Sequence, residues 1–283
     1  MRIDASQVDA YATGLEREEP ASDQGPPGIV PDPEAAAAFA ICMNAINFGS
    51  GWWPTIRKRP GHSGYATMAG GVEDRFASAG PWRAEELVAM DAATIAGVVG
   101  QDREHPLMAQ FAAALRDVGT HLLGEHEGRY LGLVEGAASV PALAAILAGW
   151  DSFADVSRYD GRAVPFFKRA QLAAADLHRA GVADLPGIER LTAFADNLVP
   201  QVLRVDEVIE LAPGLEEKIE AEQLLVHGSP EEVELRACAV HAVELLAAAS
   251  GLTAAAIDGA LWNRGRDRRY KAVPRPRSRN TAY

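Results

Sequence analysis

The sequence predicts an all-α fold. Three observations carry this: apolar residues recur near a 3.6-residue period from Pro81 onward, helix starts repeatedly pair a capping side chain with proline, and no period-two alternation persists. Sheet content should therefore be minor. Residues 1–31 read as a weakly structured lead-in, acidic at first and then broken by Pro26, Pro27 and Pro31 around Gly25 and Gly28. Residues 32–283 read as a single helical domain, or as two intimate helical lobes with a cleft between them.

Asp32-Pro33-Glu34 is a helix start, with an N-cap acid, proline at the first position and a second acid beside the positive helix end. The small-residue helix Ala35–Ile46 follows and stops at Asn47-Phe48-Gly49. Residues 55–80, rich in glycine, proline and basic side chains, suggest one short hairpin. Helices are then predicted over 83–99, 106–123, 139–149, 164–180, 199–210, 215–226, 230–250 and 253–262. The sharpest is 230–250: Ser229-Pro230-Glu231-Glu232 is a capping box with proline at the first helical position, and Ser250-Gly251 closes it. The tail from Arg264 to Arg279 is strongly basic.

With 283 residues, 48% hydrophobic and 23% charged, the chain is long and apolar enough to bury a core. No apolar run approaches the roughly 20 residues that span a bilayer, and the N-terminus shows no signal-peptide pattern. Two cysteines, Cys42 and Cys238, make neither a disulfide framework nor a four-thiolate metal site. A cytoplasmic, reduced protein is expected. A net charge of −12 opposes avid duplex-DNA binding, which needs a basic face.

No phosphate loop, HExxH, CxxC or GxSxG is present, and the seven histidines are too scattered to set up a metal site. Carboxylates, aromatics and isolated basic residues are left as candidates. Asp196 precedes a proline-led helix; it is either that helix's N-cap or a carboxylate held by backbone amides and facing a cleft. Lys168 and Arg169 sit near a helix N-terminus, against the macrodipole, either as a solvated patch or to hold an anion. Asp258, close before Trp262, is either a surface acid beside a core indole or an acceptor for a guanine-like edge under a stacking ring. Asn47 and Phe48 with Trp52 and Trp53 are loop aromatics and amide that form a lid or a stacking platform. Glu232 and Arg236, at i and i+4, read as a helix-surface pair, and Met43, Met68 and Met90 as core filler. Leu185-Pro186-Gly187 is either a packing turn or a weak echo of the hairpin of helix-hairpin-helix DNA glycosylases, with Glu189 where that motif has a second glycine.

Several stretches occur together in a known order. Ile46-Asn-Phe48 with a following tryptophan and Ser63-Gly-Tyr65 come first. Phe153-Ala-Asp155, Tyr159-Asp-Gly161, Phe166-Phe-Lys-Arg-Ala-Gln171 with Ala175-Asp176, and Phe194-Ala-Asp196 with Leu198-Val-Pro-Gln201 follow. Glu232-Val-Glu234-Leu-Arg236 and Asp258-Gly-Ala-Leu-Trp262 complete the set. Over about residues 40–283 this pattern resembles the queuosine salvage family, whose members are queuosine 5′-phosphate N-glycosylases with an all-helical fold similar to that of DNA glycosylases.

The resemblance implies hydrolysis of queuosine 5′-monophosphate to free queuine, with Asp196 as the catalytic carboxylate and Phe194 packed on the base. It implies contacts from Asp258, Trp262 and the position of Asn263 to queuine; Asn263 stands where family members carry an acid. Asn47, Phe48 and Gln201 complete the expected substrate contacts, Lys168 and Arg236 are the candidates for the 5′-phosphate, and Glu234 would assist Asp258. No cofactor or metal, no stable nucleic-acid complex and no membrane association is implied, and a monomer is slightly favoured. The alternatives are a DNA-repair-type glycosylase or a non-catalytic helical binding protein.

Overall fold

The computed structural model describes residues 1–15, 32–182 and 184–283. Fourteen α-helices and two two-stranded sheets occur among them, so the all-α expectation holds. The chain opens with β1 (Arg2–Ile3) and α1 (Ala5–Leu15), followed by α2 (Pro33–Ala45) and α3 (Gly64–Ala79). Next come α4 (Ala84–Val88), α5 (Ala92–Val99), α6 (Pro106–Glu125), α7 (Tyr130–Glu135) and α8 (Val140–Ala148). The hairpin of β2 (Val156–Tyr159) and β3 (Arg162–Pro165) leads into α9 (Lys168–Arg179). The remainder is α10 (Val199–Val205), β4 (Ile209–Glu210), α11 (Pro213–Glu220), α12 (Pro230–Ser250), α13 (Ala254–Arg264) and α14 (Arg268–Lys271). No single described helix is long and apolar enough to cross a membrane.

Helices with strong caps lie where the sequence predicts them. Asp32 accepts from the Glu34 amide at the start of α2, and Ser229 from the Glu232 amide at the start of α12, which runs to Ser250 as expected. Other segments differ, each for a local reason. The predicted 83–99 helix is broken at Met90-Asp91, where Asp91 turns to cap α5 by accepting from Thr94 N at 2.7 Å. The predicted 164–180 helix begins only at Lys168, because residues 156–165 form an antiparallel hairpin. Its turn is Asp160-Gly161, both at positive φ (46° and 74°), which suits a right-twisted two-residue connection. The 199–210 helix ends at Val205, and Ile209–Glu210 instead pair with Arg2–Ile3.

Two further corrections concern whole segments. Residues 55–80 contain helix α3 rather than a hairpin: of the Gly70-Gly71 pair that weakens helix propensity, Gly71 lets α3 approach α5 closely. A Cβ on Gly71 would stand 2.7 Å from the Val98 carbonyl. Residues 2–15, assigned to the weakly structured lead-in, are ordered: α1 lies against α12 and buries Val8, Ala12 and Leu15. The rest of that lead-in, residues 16–31, is outside the described residues.

Buried apolar side chains gather in two main clusters. The larger is built on α2, α3, α5, α6, α8 and α9 and holds Met43, Met68 and Met90. The other is built on α1, α10, α12 and α13. Leu185-Pro186-Gly187 is a packing turn: Pro186 O accepts from Val140 N at the start of α8, and Gly187, at φ 95°, lies against Pro141.

The chain's C-terminal stretch lies along the larger cluster and is held there by Arg169. This guanidinium, 2% exposed, donates to five carbonyls: Asn44, Ala45, Ser152, Thr281 and Ala282. It also stacks on Phe48 and Phe153, with Cζ 4.9 and 5.5 Å from the ring centroids. Arg169 is thus no solvated patch. Its planar fork reaches several acceptors at once, which a lysine ammonium cannot do. Replacing Arg169 by methionine strands those carbonyls; a loss of at least about 3 kcal/mol is expected, measured as a lower urea midpoint, with Arg169→Lys failing to restore it.

Candidate active site

A cavity of about 440 Å³, within the range of small-molecule sites, lies where α2, α3, α9, α13 and the C-terminal stretch converge. Its lining combines carboxylates, cations and aromatic faces. Asp196 is positioned by the helix that follows it: Oδ1 accepts from Leu198 N at 2.7 Å and Val199 N at 3.0 Å, occupying orphan amides at the start of α10. Its Oδ2 makes no hydrogen bond to a described residue. Asp196 is thus not the N-cap itself, which is Leu198; it is the amide-held carboxylate of the other reading, and its side chain lines the cavity.

Asp258 and Trp262 are one helical turn apart on α13, so both face the cavity. Asp258 is 5% exposed and its Oδ1 accepts from Phe194 N at 2.9 Å, which ties α13 to the loop carrying Asp196. Burial first, and the neighbouring Asp196 charge second, push the Asp258 carboxyl up to about 8, so it holds its proton at neutral pH. The aromatic lining includes Phe48, Trp53, Tyr65, Phe194, Trp262 and Tyr283. Tyr65 meets Trp262 edge to face, with centroids 6.1 Å apart.

Lys168 opens α9 from an unusual start: Phe167 sits in the left-handed region at φ 49°, and the Lys168 amide donates to Asp155 Oδ2 at 3.0 Å. Its ammonium is buried and approaches the Asn47 carbonyl at 3.3 Å. Burial pulls the Lys168 ammonium down to about 8, with Asp196 acting in the opposite direction. Asp176, bonded to Asn44 Nδ2 at 2.8 Å, also lines the cavity, and burial pushes it up to about 6.

Seven expected site residues thus share this cavity: Asn47, Phe48, Lys168, Phe194, Asp196, Asp258 and Trp262. Four do not line it. The Arg236 guanidinium is buried and engaged, forked onto Asp155 at 2.9 and 2.6 Å and donating from Nε to Ala195 O. Glu232 and Arg236 are therefore not a surface pair; their side chains are each 1% exposed. Glu234 accepts from the Tyr159 hydroxyl of the hairpin. Gln201, within α10, is buried, with Nε2 directed at Val273 O. Asn263 lines a separate surface groove with Tyr11, Asp206 and Tyr270.

Sequence reasoning did not select Asp155, Asp176, Arg179 or Arg275. Asp155 and Asp176 stand inside stretches that carried the resemblance, and Arg275 inside the basic tail, so a signal existed without a role attached.

The sequence model for the queuosine salvage protein family matches residues 29–283. The chain belongs to that family. It is 31% identical over 265 residues to a queuosine 5′-phosphate N-glycosylase/hydrolase of Sphaerobacter thermophilus, covering 88% of this chain and 82% of that protein. A protein of the same description from Dictyostelium discoideum is 30% identical over 263 residues, covering 88% and 79%. One from Mus musculus is 28% identical over 198 residues, covering 63% and 59%.

The raised Asp258 carboxyl has a consequence for stability. An unfolded aspartate ionises near 3.9, whereas this one keeps its proton up to about 8 in the folded state. Between those values the folded state binds the extra proton, so this group's contribution is present at low pH and lost as pH rises through about 8. Asp258→Asn removes that dependence. Without substrate, wild type should lose stability relative to the variant as pH rises from 4 to 8, measured by thermal melts across that range.

Proposed function

We propose that this chain hydrolyses the N-glycosidic bond of queuosine 5′-phosphate and releases the base queuine, acting in the cytoplasm on a free nucleotide. The observation that carries this reading is the pairing in one cavity of an amide-held carboxylate, Asp196, with a buried, proton-bearing one, Asp258, among aromatic faces. The relatives described as queuosine 5′-phosphate N-glycosylase/hydrolases supply the substrate class.

Bond cleavage sends the C1′–N electron pair to the base and leaves an oxocarbenium-like cation on the ribose. A fixed carboxylate beside C1′ stabilises that charge or captures it, and water then completes the hydrolysis. Asp196 suits the task because its Oδ1 is already bound by two amides and does not have to reorganise as charge develops. The departing 7-deazaguanine has no N7 to protonate, so help must reach another heteroatom of the ring. Asp258 carries a proton at neutral pH and is the group to donate that hydrogen bond. Phe194 and Trp262 offer faces on which the base packs. With Arg236 occupied by Asp155, the phosphate falls to the cations that line the cavity.

Asp196→Asn keeps an oxygen to accept from Leu198 N and Val199 N while removing the charge. Release of queuine from queuosine 5′-phosphate should fall by about a thousandfold or more, with the melting temperature nearly unchanged. Asp196→Ala should in addition cost about 1 kcal/mol of stability through the lost hydrogen bonds from Leu198 N and Val199 N. Wild-type turnover retained in Asp196→Asn would overturn the assignment.

A further inference from the structure

We propose that Arg236, held by Asp155, is a positioning residue: it fixes the peptide that carries Asp196 and thereby sets where that carboxylate stands beside C1′. This role rests on the hydrolase reading above and deepens it.

Asp196 follows a stretch with no regular structure to aim it, since residues 191–196 belong to no helix or strand. Three contacts with other elements anchor the backbone around the acid. Asp258 of α13 accepts from Phe194 N at 2.9 Å, Arg236 of α12 donates from Nε to Ala195 O at 2.9 Å, and Asn197 donates from Nδ2 to Pro276 O at 2.7 Å. Ala195 O belongs to the peptide that joins Ala195 to Asp196, so the Arg236 anchor is the one applied at the acid's own backbone. Asp258 and Asn197 also line the cavity, where a ligand meets them, whereas Arg236 does not. Any effect of Arg236 on the reaction therefore passes through Asp196.

Arg236 is itself held. Its Nη1 and Nη2 fork onto Asp155 at 2.9 and 2.6 Å, both side chains are 1% exposed, and the rings of Phe166 and Tyr283 enclose the guanidinium. That leaves Nε for Ala195 O. Asp155 is tied in turn to α9 through the Lys168 amide, and Ala195 packs with Phe166 and Val233 in a small buried cluster. A lysine at position 236 would keep a charge for Asp155, but its single nitrogen has no fork with which to serve carboxylate and carbonyl together. Catalysis by a fixed group depends steeply on its placement, and a displacement of about 1 Å costs about a hundredfold.

The test measures kcat and KM for queuosine 5′-phosphate in wild type, Arg236→Lys, Val243→Ala and the double variant of Asp155→Asn with Arg236→Met. Amide exchange at Leu198 and Val199, whose N–H groups bind Asp196 Oδ1, is followed in the same proteins. Val243→Ala opens a cavity elsewhere on α12, in the other core cluster, and reports what lost stability alone does. Arg236→Lys should lower kcat by about 10- to 100-fold with KM within about threefold of wild type. It should also speed exchange at the two amides by about tenfold relative to the rest of α10. Val243→Ala should change neither kcat nor that exchange ratio. The double variant removes both charges of the pair, so no lone charge is left buried, and it should show the same fall in kcat. A kcat within about twofold of wild type in Arg236→Lys, or in the double variant should Arg236→Lys not fold, overturns the inference. A raised KM with kcat kept also overturns it, because Arg236 would then serve binding. If wild type cleaves no queuosine 5′-phosphate, the hydrolase reading fails and the exchange decides: faster exchange at the two amides upholds the placement of Asp196 by Arg236, and unchanged exchange overturns it.

Discussion

A single buried carboxylate, Asp155, connects the parts on which the cavity depends. One face of it receives the Arg236 fork from α12, and the same group accepts the Lys168 amide at the start of α9. Its backbone carbonyl accepts from Phe166 N and Phe167 N. A buried ion pair contributes little net stability against an apolar alternative, but losing one partner strands the other charge. Asp155 therefore makes the junction between α9 and α12 specific. It also offsets two positive side chains at the end of a helix that would otherwise repel them, which allows Lys168 and Arg169 to be buried there.

From that junction the site is assembled by contacts distant in sequence. Arg236 is sandwiched between the rings of Phe166 and Tyr283, with Cζ 3.9 and 4.4 Å from their centroids, so the C-terminal stretch is drawn to the same place. Arg169 gathers carbonyls from α2, from the turn after α8 and from residues 281 and 282. The fork that seemed suited to a phosphate is spent on architecture, and the lining cations are left to meet the ligand.

The cavity wall sets opposite conditions for its two central acids. Asp196 has two amide donors and partial exposure. Asp258 has one amide, little solvent and a neighbouring negative charge, and it retains its proton. The same side-chain chemistry is thereby divided into a charge-stabilising group and a proton-bearing one, with the single turn of α13 between Asp258 and Trp262 aligning acid and ring.

Local signals made part of this legible in the chain alone. Capping side chains and prolines delimited α2 and α12, because an N-cap satisfies amides only a few residues away. Asp196 and Asp258 were singled out from their position at a helix start and beside a tryptophan. The glycines of α3 misled, since the value of Gly71 lies in a contact with α5 that no neighbouring residue reveals. Arg236, Glu232, Lys168 and Arg169 looked like surface charges because spacing along a helix does not say what covers it. The sequence by itself determined the helical class, the main helix boundaries and the acids available for chemistry. Only the tertiary structure decided which charges are buried in pairs and which reach the cavity, because burial, and with it each group's protonation, depends on elements brought together from across the chain.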